Sequence, residues 1–300
     1  MGIFSPGIVM TTLEETVAPL GEQKRRGRKP KKQSQKELLN MYYEEVGHTP
    51  TEDTGLRKAV VEQAIYLSTK EKQRIEAKFT RPKNKHQEEY VRVLGKPSKK
   101  IVVVSGPAGT GKTLFATEFG VKGFLLGTYE RLVFTRPSVS VDEDLGYLPG
   151  TLEEKMAPWV RPIYDVLYQF ITPKEVQQYM ENKLIEIAPL GYMRGRTFKN
   201  TWIVADEMQN STTGQMKMLL TRLGENSRLI ITGDLDQYDR IQGEVNGLAD
   251  FLEKFRGKRS TSISQFEFEK GDIQREDVVR EVLDIYSGEH LNIYTSEALK

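Results

Sequence analysis

Eight consecutive residues, Gly106-Pro107-Ala108-Gly109-Thr110-Gly111-Lys112-Thr113, carry the spacing G-x-x-x-x-G-K-[ST]. Glycines at those positions let backbone N–H groups turn inward around phosphates. A helix opening at the end of such a loop adds partial positive charge at the same point. The chemistry implied is binding of a nucleoside triphosphate, with Lys112 bridging the β- and γ-phosphates and the Thr113 hydroxyl ligating Mg²⁺. Farther along, Trp202-Ile-Val-Ala-Asp206-Glu207 is an apolar run that ends in two acids. Asp206 suits a second Mg²⁺ contact, and Glu207 is placed to orient or deprotonate an attacking water. A third apolar run ends Ile230-Ile-Thr-Gly233-Asp234-Leu-Asp236-Gln237, where Thr232 and Gln237 are expected to meet the γ-phosphate or the water. The set favours hydrolysis over transfer to a substrate hydroxyl.

These residues act together only if strands bring them to one edge. Ile101–Val104, Arg131–Thr135, Leu184–Ala188, Thr201–Ala205, Arg228–Thr232 and Ser262–Phe268 read as short buried strands. Between them, Thr113–Leu126, Leu152–Ile171 and Thr212–Leu223 read as helices, with Pro158 and Pro162 expected to break or bend the second. Glu276–Tyr286 reads as a last helix. Strands alternating with helices mean an α/β fold with a mostly parallel sheet covered on both faces. In such a sheet the loops at the carboxyl ends of the strands line the ligand crevice. Ahead of this unit, Lys36–Tyr43 and Leu56–Phe79 are helical candidates, forming a helical extension over residues 36–79. Residues 1–35 have no sustained period and read as a disordered basic arm.

The bulk composition narrows the class. Among 300 residues there is no Cys, which excludes a disulfide scaffold, a Cys-containing zinc site and a cysteine nucleophile. The three histidines, His48, His86 and His290, lie too far apart in sequence to suggest a His-rich metal cage. No apolar run approaches the roughly 20 residues of a membrane helix. The opening MGIFSPGIVM lacks the pattern of a secretion signal, and Pro6 stands where a myristoylation pattern wants Ser or Thr. We expect a soluble cytoplasmic protein.

Several longer segments resemble a known family. They are GPAGTGKT at the phosphate loop, FTRPSV after the second strand, LGYLPGTLEEKMAPWVRPIYD, and IAPLGYMRGRTFKNTWIVADEMQNST continuing through QMKMLLTRLGENSRLIITGDLDQ. Together with DIQREDVVREVLDIY they are similar to the PhoH-like family of phosphate-starvation-inducible P-loop ATPases, over roughly residues 80–287. The resemblance implies a RecA-like core related to superfamily 1 helicases, followed by a tail over 288–300. It implies ATP hydrolysis with Mg²⁺, coupled to RNA or DNA. It also implies roles for particular residues. Gln87 resembles the helicase element that reads adenine. Asp206–Gln209 resembles helicase motif II, and Gly233, Asp234 and Gln237 resemble motif III. Arg275 is the first candidate for an arginine finger, and Arg280 the alternative, because Glu276-Asp277 replaces the family's His-Pro. Arg136 occupies the place where related helicases touch the nucleic-acid backbone. Tyr147 either stacks a base or packs in a core. Arg194 and Arg196 either meet phosphate or nucleic acid or pair with surface acids. One RecA-like lobe is half of the usual helicase grip, so a homo-oligomer such as a hexameric ring is expected. Two other functions fit less of the sequence: an ATP-switched nucleic-acid-binding regulator, and a P-loop phosphotransferase.

The charge is unevenly spread. Lys+Arg number 44 and Asp+Glu 42, a net +2. Seven of those bases lie between Lys24 and Lys32, in KRRGRKPKK; the other 37 face 42 acids, a remainder of −5. The stretch Arg26-Gly-Arg28-Lys29-Pro resembles an AT-hook, with Lys29 where that motif has Pro directly. Arg25, Arg26, Arg28 and Lys29 suit a narrow minor groove or, as a plain polybasic tail, any nucleic-acid backbone. Deleting residues 24–32 is expected to flatten the dependence of log affinity on log salt, by up to about six in slope on a duplex and about five on a single strand. Binding titrations across a salt series check this; an unchanged slope removes the arm from the interface.

Overall fold

The structure, a computed structural model, describes residues 67–137, 152–237 and 245–274, together with 278, 279 and 282. Its centre is a six-stranded sheet whose paired strands all run parallel. The strands are β1 (Ile101–Ser105), β2 (Arg131–Arg136), β3 (Ile185–Pro189), β4 (Thr201–Ala205), β5 (Arg228–Gly233) and β6 (Ile263–Glu267). Their order is β3-β2-β4-β5-β1-β6. All six strands expected from the sequence are present, each within about one residue. This is the RecA-like α/β core that the resemblance implies.

Side chains alternate through the sheet, as period-two geometry requires. Val102, Val104, Leu132, Phe134, Trp202, Val204 and Ile230 enter one buried cluster. Val103, Val133, Ile203, Ala205, Leu229 and Ile231 enter a second cluster on the other face. Helices α2 (Lys85–Leu94), α3 (Lys112–Leu125), α4 (Leu152–Phe170) and α5 (Pro173–Glu181) cover the first face. Helices α6 (Thr213–Leu220) and α7 (Gly247–Phe255) cover the second, through Met216, Leu219, Leu248 and Leu252.

One contact sets how close α3 lies to the sheet. Trp202 of β4 is buried, and its Nε1–H donates to the Ala116 carbonyl at 2.9 Å. A Cβ on Gly120 would fall 2.4 Å from the indole. Only glycine permits that approach, and the approach carries the start of α3 toward the end of β4.

Local structure differs from expectation in three places. The helix expected over Leu56–Phe79 does not run through Ser68, which is extended and caps a separate helix, α1 (Thr69–Ala77). Ser68 accepts the Glu71 N–H, and Glu71 accepts the Ser68 N–H, a reciprocal cap that starts a helix rather than continuing one. Helix α4 runs unbroken through Pro158 and Pro162. Burial of Val160, Ile163, Val166 and Leu167 outweighs the lost hydrogen bonds, and Pro162 lies on the exposed side. Helices α5 and α7 were not expected. Their signals were caps: Thr172-Pro-Lys-Glu175 is a capping box with proline at the first turn, and the Asn246 side chain accepts from Leu248 and Ala249 N–H.

Helix α1 packs on the core. Glu76 pairs with Lys122 of α3 at 2.8 Å, and Phe79 stacks on Phe170 of α4 at 4.5 Å. The arm with Arg25, Arg26, Arg28 and Lys29, the Lys36–Tyr43 candidate, Tyr147, Arg275, Arg280 and most of the last expected helix lie outside the described residues. No helix among the described residues is long and apolar enough to cross a membrane.

Candidate functional site

The phosphate loop leaves β1 at Gly106. That residue has φ +135°, and a Cβ there would meet the Phe268 carbonyl at 2.4 Å. Gly109 and Gly111 also hold positive φ, and Gly111 is the last residue before α3 begins at Lys112. The loop is tied at both sides. Gly106 N–H donates to the Gly233 carbonyl at 3.2 Å, and Gln274 N–H donates to the Gly109 carbonyl at 3.0 Å. The residue just before Arg275 therefore touches the phosphate loop.

Lys112 is buried, and its Nζ donates to the carbonyls of Gly106 and Pro107, both at 2.6 Å. Burial pushes its pKa down, while Asp234, Asp206 and Glu207 pull it back up. An ammonium whose hydrogen bonds go to uncharged carbonyls is well suited to trade them for phosphate oxygens, since charge-assisted bonds are stronger.

Opposite the loop, Thr113 Oγ1 donates to Asp206 Oδ1 at 2.9 Å. Thr232 donates to the same oxygen. Thr232 was expected to face the γ-phosphate; it is instead fully buried and holds Asp206 from below. Gln237, its expected partner, is exposed and lines the cleft. That cleft, of about 260 Å³, is lined also by Ala108, Gly109, Gly111, Lys112, Thr113, Asp206, Glu207 and Asp234. The structure thus gathers the phosphate loop and the ends of β4 and β5 around one cavity.

Glu207 stands in the left-handed region at φ 53°, which costs a residue with a Cβ about 1–3 kcal/mol. Gln209 helps hold it there. The Gln209 side chain is fully buried, and its Nε2 donates to Glu207 Oε2 at 2.5 Å. The same carboxamide accepts the Asp234 N–H at 3.1 Å. Asp234 in turn accepts the Ala108 N–H through Oδ2 at 3.2 Å. Burial raises the Glu207 pKa most, and Asp206 raises it further; the Gln209 hydrogen bond and the charges of Arg136 and Lys112 oppose them. No such linking role for Gln209 and Asp234 is readable from the sequence. Their contacts join residues 25 and 126 positions apart, which no local pattern reveals.

Arg136 ends β2 opposite Pro189 of β3. Beside it, Asp206 N–H donates to the Thr135 carbonyl at 2.9 Å. Gln87 is buried under the loop, where its Nε2 donates to the Thr110 carbonyl at 3.0 Å and its Oε1 accepts the Lys83 N–H at 2.7 Å. Arg196 forms a two-pronged pair with Glu186, at 2.5 and 2.7 Å, and lies over the Phe198 ring. It is a surface ion pair; Arg194 remains exposed.

The donors at Thr113 and Asp206 are hard oxygens, which fit Mg²⁺. Among the described residues no cluster of three or more His, Asp or Glu could cage a metal. Magnesium held by one or two protein oxygens and completed by substrate phosphates matches this sparse set.

The PhoH-like protein family matches residues 80–287. The chain belongs to the PhoH-like family. A PhoH-like protein of Synechocystis is 38% identical over 237 residues, 78% of this chain and 69% of that protein. One from Bacillus subtilis is 42% identical over 70% of this chain and 64% of its own length. Protein PhoH of Escherichia coli is 40% identical over 68% and 57%. The chain thus spans between about half and two thirds of those relatives. Among solved structures, the Pif1 helicase of Candida albicans aligns at 14% identity over 68% of this chain and 43% of that one, with a TM-score of 0.37. That likeness is too distant to add to the argument. Family and site together make the chain a P-loop NTPase.

Replacing Lys112 by Ala is expected to weaken nucleotide binding by at least about tenfold, the loss of one charge-assisted contact. Titration calorimetry with a non-hydrolysable triphosphate checks it, and unchanged affinity rules out this loop as the phosphate site.

Proposed function

We propose that this PhoH-like chain hydrolyses ATP with Mg²⁺ and couples the reaction to RNA or DNA. Glu207 carries the reading. It lines the cleft beside the phosphate loop, held in a strained backbone conformation by Gln209, with a pKa raised by burial and by Asp206. A carboxylate tuned upward next to a phosphate site suits a general base for water.

In this mechanism the loop N–H groups and Lys112 take the β- and γ-phosphates, and Lys112 neutralises charge that develops on their oxygens. Thr113 and Asp206 would hold Mg²⁺, which when bound would supply further neutralisation of phosphate charge. Glu207 accepts a hydrogen bond from a water and takes its proton as the water oxygen bonds to the γ-phosphorus. The bond from that phosphorus to the β-phosphate oxygen breaks, leaving ADP and phosphate. Gln237, on the cleft wall, orients the water. Gln87 has one N–H and one lone pair of its carboxamide beyond the two bonds already made, enough to pair with an adenine edge. Arg275 or Arg280 supplies the finger. Arg136 and the basic arm support the nucleic-acid half of the reading.

Glu207→Gln is expected to leave ATP binding intact and lower turnover by about 10²–10⁴. In the parent protein, raising the Glu207 pKa moves loss of the base to higher pH. The acidic limb of kcat/KM then lies above the ordinary glutamate value of about 4.3. Phosphate release measured from acid to neutral pH checks both statements, and wild-type turnover by the variant ends the proposal.

The reading includes assembly into a multimer, a ring such as a hexamer, because a second RecA-like lobe must face each site to grip a strand. Light scattering in ATP and nucleic acid tests this, and a monomeric mass under those conditions counts against it.

A further inference from the structure

Immediately after β3 the chain makes a 3-10 turn, Leu190–Met193, and continues as Arg194-Gly195-Arg196. Leu190 and Met193 are fully buried in the second core cluster, so the turn is anchored at both ends. Between those anchors Tyr192 is 60% exposed. Among the described residues the other well-exposed tyrosine, Tyr168, stacks on Tyr164 at 5.4 Å, and Tyr192 has no ring partner. Gly191 and Gly195 flank it, and a Cβ on either would meet nothing within 4 Å. Packing does not demand the smallness of Gly191. The open space beside both glycines leaves the Tyr192 side of the turn uncrowded.

The segment that follows Tyr192 carries positive charge. Arg194 is exposed and has no ion pair among the described residues. Arg222 reaches the same segment, donating to the Arg196 carbonyl, and its other bonds go to the Met218 carbonyl and the Thr221 hydroxyl, none of which is charged. The turn also lies in register with the catalytic end. Pro189, just before it, pairs with Arg136, and Thr135 pairs with Ala205, one residue before Asp206. With strands about 4.8 Å apart, the turn sits about 10 Å across the sheet from the strand that carries Glu207, with Arg136 between. Arg136 is near enough for its charge to act on Glu207.

From this geometry we propose that Tyr192 and Arg194 form a contact site for single-stranded nucleic acid, a base stacking on the Tyr192 ring and a phosphate meeting Arg194. An anchored aromatic ring beside unneutralised guanidinium groups recognises a stacked base and its backbone, with little sequence preference. The inference rests on the nucleic-acid-coupled reading above and names where the strand is held. Arg136 then bridges strand and catalytic carboxylate.

The test uses the full chain, fluorescein-labelled poly(U) and poly(dT) oligonucleotides, anisotropy over a salt series, and phosphate release with and without each polymer. Tyr192→Ala is expected to weaken binding about 5- to 150-fold, the equivalent of about 1–3 kcal/mol for one stacked base. Tyr192→Phe should keep the affinity, because the ring and not the hydroxyl does the stacking. Arg194→Gln should flatten the salt slope by about 0.7, one phosphate on a single strand. All three should hydrolyse ATP at the parent rate when no polymer is present. Parent-like affinity in Tyr192→Ala overturns the site, as does an altered assembly mass with unaltered affinity, which marks the turn as a subunit contact. If the parent chain binds neither polymer, the coupled reading falls and this site falls with it. If the parent binds and the variants bind equally, only this site falls.

Discussion

The ligand end of this protein depends on where one carboxylate is held. Asp206 leaves β4 with its N–H bonded to the Thr135 carbonyl of β2, and one of its oxygens accepts from both Thr113 at the head of α3 and Thr232 on β5. A single oxygen thus collects the phosphate-loop helix and the central strands. Only a parallel sheet allows this, because parallel strands deliver their carboxyl ends to the same edge. The order β4-β5-β1 then sets β5 between the acidic strand and the phosphate-loop strand. The Gly120–Trp202 approach completes the arrangement by letting α3 settle far enough onto β4 for Thr113 to reach the carboxylate.

A second path runs through side chains. Glu207, Gln209, Asp234 and Ala108 form a continuous run of hydrogen bonds from the end of β4, through the end of β5, to the phosphate loop. An anion seated in the loop would compete with Asp234 for the Ala108 N–H, so the loop, the β5 turn and Glu207 are joined by one run of hydrogen bonds. Glu207 in a left-handed conformation is the strained member, and its surroundings over-determine it: Gln209 from the side, and Met208, fully buried, from the next position.

What was legible in the sequence was what local pattern encodes. Apolar β-branched runs marked each strand, and the G-x-x-x-x-G-K-T spacing marked the loop, because a cradle for phosphate needs glycines and a lysine at fixed intervals. Segments governed by competition between local and tertiary terms were harder. Pro158 and Pro162 argued for a break or a bend in α4; there is no break, because burial of its apolar face keeps the helix continuous. Ser68 starts a helix at Thr69, inside a segment that apolar spacing alone had read as continuous. Helices α5 and α7 are short, and their caps were stronger signals than their periodicity.

The sequence by itself determined the family, the parallel α/β class, the phosphate loop and the acidic pair, since each is written in contiguous residues whose chemistry is local. Tertiary structure alone decided which polar residues face the cleft and which support it. Thr232 looked like a phosphate or water contact and is a buried brace, while Gln209 and Asp234 link the edge of the cleft through bonds to distant chain positions. It also separated two arginines that the sequence left equivalent: Arg196 is neutralised by Glu186, and Arg194 stands in solvent beside Tyr192. The physical reason is that side-chain direction and ion pairing are settled by the packing of elements far apart in the chain, which no window of neighbouring residues contains.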